Sequence, residues 1–324
     1  MSQSISFRRH GLRLLALREA SILAVAILLF VYFAVTNENF ISNANLVTLS
    51  QFIAPAAIIA SGEVMLLICG EIDLSVGQVY ALAPFIMAFT AKAGLTIGLG
   101  IVFGLAVAAL VGLINGLITV KLRVPSFVTT LGMLFLINGL TLTISNGYPI
   151  NTPGGPLVAN VLGAYGYTEF GWAVLIVLVM HMVLRHRPWG LHTVAVGGNL
   201  IGATEAGIDE AKIKVGNFML TSMLGGLTGI LEAFRIGSTD PLAGGTKIMF
   251  LAVASGVIGG TRLAGGSGTV MGALIGAIVL GTLQDGFTLA GISAFTFDII
   301  IGGAILLAMI ANIRVETMRR GMRR

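Results

Sequence analysis

The chain has 324 residues, 56% of them hydrophobic and 10% charged, where an ordinary soluble domain runs at roughly 25% charged. A soluble domain of this length would carry about 81 Asp, Glu, Lys and Arg residues; this chain carries 33, of which 19 are basic and 14 acidic, too few to cover a water-facing surface. A soluble enzyme, a disordered tail and a secreted disulfide scaffold are thereby excluded, the last also by the single cysteine, Cys69, and a polytopic integral membrane protein remains.

The N-terminus carries Arg8, Arg9, Arg13 and Arg18 ahead of an apolar run from Ala20 to Val35. No small-residue cleavage site follows, so the run reads as an uncleaved first transmembrane helix and not as a signal peptide. Crossing a bilayer takes about 20 apolar residues. Ten spans are expected, near 20–36, 47–69, 76–91, 95–120, 126–145, 171–185, 213–235, 246–261, 267–289 and 294–313. The third and eighth are short or glycine-interrupted, as half-helices or a re-entrant segment would be. Between spans five and six, 146–170 lacks Lys and Arg and begins N-G-Y-P-I-N-T-P-G-G-P, an outer loop with a short amphipathic piece around 157–162.

Small residues recur at four-residue spacing: Gly100, Gly104, Ala108, Gly112 and Gly116 in span four, Gly225 and Gly229 in span seven, and Gly268, Gly272 and Gly276 in span nine. Each row makes a flat helix face suited to close packing, within the subunit first and between subunits second. A-L-V-G at 109–112 is echoed by A-L-I-G at 273–276. If the ten spans are two sets of five, the second set is inverted relative to the first. The expected fold is therefore an all-α integral membrane protein of two inverted halves with both termini cytoplasmic. It forms a single transmembrane domain over 1–324, with a cytoplasmic N-terminal segment 1–19, an outer loop 146–170, an inner loop 186–212 and a basic tail 314–324.

The positive-inside rule tests that orientation. With the N-terminus inside, 16 basic residues fall on the inner side and only Lys92, Arg235 and Lys247 on the outer. The net charge of +5 is thus a topology signal and a contact with anionic headgroups, and no nucleic acid is needed to explain it.

No G-x-x-x-x-G-K-[ST] loop is present; the nearest string, Gly244-Gly245-Thr246-Lys247, lacks the spacing. No H-E-x-x-H occurs, and His10, His181, His186 and His192 are too scattered for a metal site. G-G-S-G at 265–268 is not a nucleophile elbow. The chain is therefore not an enzyme by itself and binds no cofactor.

The inner segment from Arg185 to Lys214 is the most informative. After Gly197 and Gly198, Asn199 is a good N-cap. Leu200 to Ala206 make about two helical turns, and Gly207 ends them in the left-handed conformation. Asp209 caps the next helix, with Glu210 in its first turn. A short exposed helix between glycine hinges results, and from the residues alone it is either a plain connector or a docking element.

V-G-G-N-L-I-G-A-T-E-A-G-I-D at 196–209, followed by K-I-K, resembles the cytoplasmic coupling loop of ABC importer permeases of the ribose/xylose/arabinose class. G-E-I-D-L-S-V-G at 70–77 resembles a second hallmark of that family, with signature residues Gly70, Glu71, Asp73, Ser75 and Gly77. G-V-I-G-G-T-R-L-A-G-G-S-G at 256–268 resembles a third. One departure is Glu71, where a second glycine is common. The resemblance implies a permease subunit in the bacterial cytoplasmic (inner) membrane that pairs with a second permease, identical or different. It implies delivery of a monosaccharide or polyol by a periplasmic or lipoprotein sugar-binding protein. It also implies coupling to a separate ABC ATPase that holds ATP and Mg. The docking surface then falls on Gly198, Asn199, Ala203, Glu205 and Gly207. Ionisable and amide residues inside spans usually face the bundle interior. They nominate Glu63, Asn115, Asn138, Gln284 and Asp285 for the substrate pathway, with Glu232 and Asp298 also placed in spans. The alternatives are a branched-chain amino-acid permease of the same machinery, an ion-coupled carrier and a passive channel. The Asp73-Leu74-Ser75 string and the G-G-N loop favour the sugar branch, the dispersed carboxylates disfavour the carrier, and a channel leaves the coupling loop unexplained.

Overall fold

The computed structural model describes residues 18–293 without a break, and beyond them Thr296, 298–300, Gly302, Gly303 and Leu306. The N-terminal segment up to residue 17, most of the tenth expected span and the basic tail lie outside the described residues. Within them the chain is helical almost throughout: α1 (Arg18–Thr36), α2 (Asn43–Ile68), α3 (Val76–Lys92), α4 (Ile97–Lys121), α5 (Ser126–Ser145), α6 (Pro156–Ala159), α7 (Thr168–His186), α8 (Pro188–Gly198), α9 (Leu200–Glu205), α10 (Glu210–Ile236), α11 (Gly245–Ile258) and α12 (Val270–Leu289). A π-turn over Asn160–Ala164 follows α6, and the two-residue strands β1 (Ile150–Asn151) and β2 (Ser238–Thr239) pair antiparallel. Among the described residues helices occupy the first nine expected spans, and the piece expected around 157–162 is the α6 and π-turn pair.

Among the described residues six helices are long and apolar enough to cross a membrane: α1, α2, α4, α5, α7 and α12. Their outer faces carry exposed Leu28, Val31, Phe103, Leu110, Phe135, Leu136 and Leu178, while Ser61, Asn115, Asn217, Ser222 and Thr228 are buried. Apolar outside and polar inside is the arrangement of a protein solvated by lipid. Polar side chains also open the helices: Ser42 accepts from the Asn45 N–H at 3.3 Å, Thr96 from Leu99 at 3.4 Å and Thr269 from Gly272 at 3.4 Å.

Helix α2 is the axis of the molecule. Every residue from Ile53 to Ile68 is buried, beneath α7, α10, α11 and α12. Helix α10 is 27 residues long but comparatively polar, because its Asn217, Thr221, Ser222 and Thr228 face protein. The glycine rows are spent on packing within the subunit. Along α4, Gly100 lies on the Met87 carbonyl, Gly104 on that of Ala83, Gly112 on Phe218 and Gly116 on Val215, while Gly276 lies on Ser255.

The third span begins partway through the bundle. Helix α2 ends in a Schellman turn: Gly70 takes φ 78°, its N–H reaches the Leu67 carbonyl and the Glu71 N–H reaches that of Leu66, each at 3.0 Å. The chain then passes without regular structure through Glu71, Ile72 and Asp73, turns at Leu74 and Ser75, and the first turn of α3 packs on Gly225, 15 residues into α10 and so about 22 Å along it. The eighth span is broken in the complementary way. Chain leaving β2 dips inward, and α11 starts where Gly245 meets Gly77. A Cβ at Gly77 would overlap the Gly245 carbonyl, so only glycine allows the two helix starts to touch.

The two ends of the bundle are distinct. At one, the Gly266 N–H donates to the Ile68 carbonyl at 2.8 Å, Thr269 donates to Glu19 at 2.7 Å, and Lys214 pairs with Glu71. Lys121, Arg185, Arg187, Lys212 and Arg262 gather at that basic end. At the far end Asn37 donates to the Leu289 carbonyl at 3.3 Å, Tyr167 donates to Asn43 at 3.0 Å, and β1 meets β2.

Candidate functional site

Three places concentrate chemistry. The first is the break before α3. Asp73 is fully buried, and its carboxylate accepts from the Ser75 N–H at 2.9 Å, the Ser75 hydroxyl at 2.6 Å and the Ser222 hydroxyl of α10 at 3.1 Å. Asn115 of α4 donates to the Ser75 hydroxyl at 2.9 Å and lies 3.4 Å from Asp73. Ser75 thus turns its side chain to Asp73 and leaves the first turn of α3 without a side-chain cap. Glu63 of α2, also fully buried, lies beside Asp73. The knot of hydrogen bonds onto Asp73 and Ser75, strong in low dielectric, fixes where the half-helix starts, while both Glu63 carboxylate oxygens and the Asn115 amide oxygen stay without a hydrogen-bond partner.

The second is a cavity of about 410 Å³ at the far half of the bundle, where α2, α3, α10, α11 and α12 converge. Thr48, Gln51, Phe52 and Pro55 line it from α2, Tyr80 from α3, Glu232 and Arg235 from α10, Gly244, Lys247, Ile248 and Leu251 from the start of α11, and Gln284 from α12. Arg235 organises the wall. Its guanidinium grips Glu232 through two nitrogens, Nε donating at 2.6 Å, while Nη1 donates to Gln51 at 3.3 Å and Nε lies 3.4 Å from the buried Glu169 of α7. A planar fork is the group suited to such multiple engagement. Two prolines shape the neighbourhood: Pro55 and Pro84 stand four residues after Gln51 and Tyr80, so neither carbonyl has its usual helical donor.

The third is the basic end. Asn199 caps α9 by accepting from the Gly202 N–H at 3.1 Å, Gly207 takes φ 80°, and Asp209 caps α10 by accepting from the Lys212 N–H at 3.1 Å, each as expected. The glycine pair is not a hinge, however. Residues 188–198 form helix α8, opened by Pro188 at its first position, and Gly197 sits inside its last turn because the Ile68 carbonyl and Gly266 press against it. Trp189 donates to Asn217 at 2.8 Å and Asn217 to Thr193 at 3.2 Å, fastening α8 to α10. Gly198, Asn199, Glu205 and Gly207 are exposed, whereas Ala203 is buried against Cys69, Val196 and Ile213. Large apolar residues beside them are bare, Ile201 at 73% and Leu191 at 58% exposure.

The nominated pathway residues therefore separate. Gln284 and Glu232 reach the cavity, Asn115 joins the knot, and Glu63 lies beside it with neither carboxylate oxygen hydrogen-bonded. Asp285 accepts from Asn45 at 2.7 Å, Asn138 is half-buried on α5, and Asp298 is exposed. The signature residues fall together: Gly70 turns the chain, Asp73 and Ser75 make the knot, and Gly77 admits α11. Glu71, the departure from the family pattern, pairs with Lys214 at 2.8 Å. Gln51, Tyr80, Arg235 and Lys247 escaped nomination as pathway residues.

Over residues 45–309 the chain matches the family described as branched-chain amino acid transport system / permease component. It is similar to the xylose/arabinose import permease protein XylH of Sulfolobus acidocaldarius, 36% identical over 300 residues that cover 89% of this chain and 82% of the other. It is 33% identical over 318 residues to the ribose import permease protein RbsC of Escherichia coli K12, covering 96% and 98%. To the L-arabinose ABC transporter permease protein AraH of Azospirillum brasilense it is 28% identical over 322 residues, covering 95% and 91%. No solved structure matches the chain.

Proposed function

We propose that this chain, which belongs to the branched-chain amino acid transport system / permease component family, is the transmembrane subunit of an ATP-driven importer for a monosaccharide or related polyol. The observation that carries the reading is the basic end. Large apolar side chains of α8 and α9 stand bare there, Ile201 and Leu191 above all, on a segment that the positive-inside rule assigns to the cytoplasm. Exposed apolar surface of that kind marks a protein partner. A chain without a nucleotide-binding loop needs an external motor, so the partner is an ABC ATPase holding ATP and Mg. Gly198, Asn199, Glu205 and Gly207 surround the docking surface, with Ala203 anchoring it from beneath. The tie from Trp189 to Asn217 then carries motion of α8 into α10.

The remainder of the architecture follows the same reading. The chain is one permease domain over 1–324 that crosses the cytoplasmic membrane ten times, with both termini inside and the 146–170 loop outside, where a sugar-binding protein delivers its cargo. A second permease subunit completes the assembly. The pathway runs from Gln284 and Asp285 at the outer half toward Glu63 and Asn115 at the break, with Asn138 on the α5 flank. Sugar is preferred over a branched-chain amino acid because the relatives compared above are named for xylose, arabinose and ribose, and because the outer cavity's Arg235 and Glu232 neutralise one another.

Reconstitution tests this directly. Proteoliposomes containing the permease, its ATPase and its binding protein take up D-ribose, D-xylose or L-arabinose only when ATP is supplied. Ile201→Asp abolishes co-purification with the ATPase and uptake together. Uptake by the permease alone, without ATPase, would refute the importer reading.

A further inference from the structure

The outer cavity has polar groups on every side and lies at the opposite end of the bundle from the docking surface. We propose that it is a binding site for one neutral, polyhydroxylated molecule of monosaccharide size, built within a single copy of this chain. The proposal rests on the importer reading for the identity of the cargo class, and adds to it that the permease itself selects among sugars.

Size and construction come first. About 410 Å³ is within the roughly 300–1,000 Å³ typical of small-molecule sites. The walls belong to five helices, and Arg235 ties two of them, α10 and α2, through Glu232 and Gln51 and reaches Glu169 of α7 behind the wall, so the site is preformed. Both broken elements end at it: Gly244 lies against the Tyr80 ring and Gly77, and α11 starts there without a side-chain cap. Short, interrupted spans in corresponding positions of two halves are where transporters place their ligands.

Chemistry fixes the class. Gln51 and Gln284 each bring a carbonyl acceptor and an NH₂ donor, Thr48 and Tyr80 bring hydroxyls, and Pro55 leaves the Gln51 backbone carbonyl without its helical donor. The Tyr80 ring and Pro55 supply apolar surface for the C–H face of a sugar ring. That mixture of paired donors, paired acceptors and one aromatic face suits vicinal hydroxyl groups. Charge excludes the rival. Arg235 is already neutralised by Glu232 and Glu169, and Lys247 is engaged as well. The carboxylate of an amino acid would have to displace Glu232 or Glu169 from Arg235, whereas a hydroxyl can bond to the pair's outer edge.

The test uses the buried state of Cys69, which leaves an introduced thiol as the reactive one. Thr48→Cys in the assembled importer is modified by a small water-soluble methanethiosulfonate, and D-xylose, D-ribose or L-arabinose slows the modification while L-leucine does not. Adding Gln51→Ala or Gln284→Ala weakens that protection by about tenfold, the equivalent of one well-placed hydrogen bond. Saturation-transfer NMR of the purified permease with the same sugars, wild type against Gln284→Ala, reads the same loss without the introduced cysteine. A thiol that never reacts, protection absent for all three sugars, or protection unmoved by both glutamine variants would overturn the proposal. If ATP-driven sugar uptake persists in that case, only the cavity site falls. If uptake is absent and L-leucine protects, the sugar importer reading falls with it.

Discussion

Near each end of helix α10 a basic side chain, Lys214 or Arg235, is held by two carboxylates, one from its own helix and one from elsewhere. At the basic end Lys214 bonds Glu210 at 2.9 Å and Glu71 at 2.8 Å. At the far end Arg235 grips Glu232 and lies 3.4 Å from Glu169. The outward similarity conceals different work. At the far end Arg235 is 25% exposed and Glu232 13%, but Glu169 is 1% exposed, so that one carboxylate is desolvated, and removing the cation leaves it buried without its partner. At the basic end no carboxylate is buried as Glu169 is: Glu71 is 13% and Glu210 32% exposed, so water reaches both partners of Lys214. Arginine's fork lets the far residue also reach Gln51 and frame a cavity, while lysine's point charge only clasps a loop. One end is built to hold shape around a space, the other to let a connection yield.

Breaking the far end has the largest expected effect. Arg235→Ala strands Glu169 and Glu232, and loss of one partner from a buried pair costs about 3–5 kcal/mol. Thermal unfolding in detergent reads the loss. Arg235→Lys restores charge without the fork and recovers only part of it. A change no larger than that of a surface pair would erase the distinction between the two ends.

The same contrast separates what the sequence makes legible from what it hides. Local rules are visible: Asn199, Gly207 and Asp209 are caps and stops whose geometry depends on their neighbours along the chain, and the short third and eighth spans announce their breaks. Helix α8 is hidden because Gly197 and Gly198 look like a hinge, although Gly197 is required by the close approach of Ile68 and Gly266. The cavity is hidden for a related reason. A polar residue inside an apolar span reads alike whether it faces a space or a neighbour. Asn115 donates to Ser75 and Asp73, and Asp285 accepts from Asn45, while Gln284 faces the cavity. Gln51 and Tyr80 did carry a signal, a proline four residues downstream, whose meaning appears only when both lie against one space.

At the basic end the expected effects are smaller. Lys214→Ala destabilises by about 1 kcal/mol, and a double-mutant cycle of Lys214→Ala with Glu71→Ala yields a coupling of about 0.5–1 kcal/mol. That value gives the departure from the family's glycine a physical role, as a clasp between the Schellman turn after α2 and the foot of α10. Zero coupling would make Glu71 a bystander.

The smallest effect belongs to Glu210→Gln, and it is the most discriminating. Glu210 precedes Lys214 by one helical turn and also sits in the first turn of α10, where the helix dipole favours a carboxylate. Glutamine keeps a hydrogen-bond acceptor but removes the charge, and Lys214 retains Glu71, so the loss is only about 0.3–0.5 kcal/mol at low salt. Because Glu210 is 32% exposed, ions screen most of that difference at about 1 M salt, where the Debye length shrinks to about 3 Å. The Arg235→Ala penalty changes little under the same conditions, since no ion reaches Glu169. Unfolding of both variants across a salt series therefore separates the ends by mechanism as well as by size. A salt-insensitive Glu210→Gln would place Glu210 in a desolvated pair like that of Arg235, and the basic end would then resist the yielding motion that coupling to a motor requires.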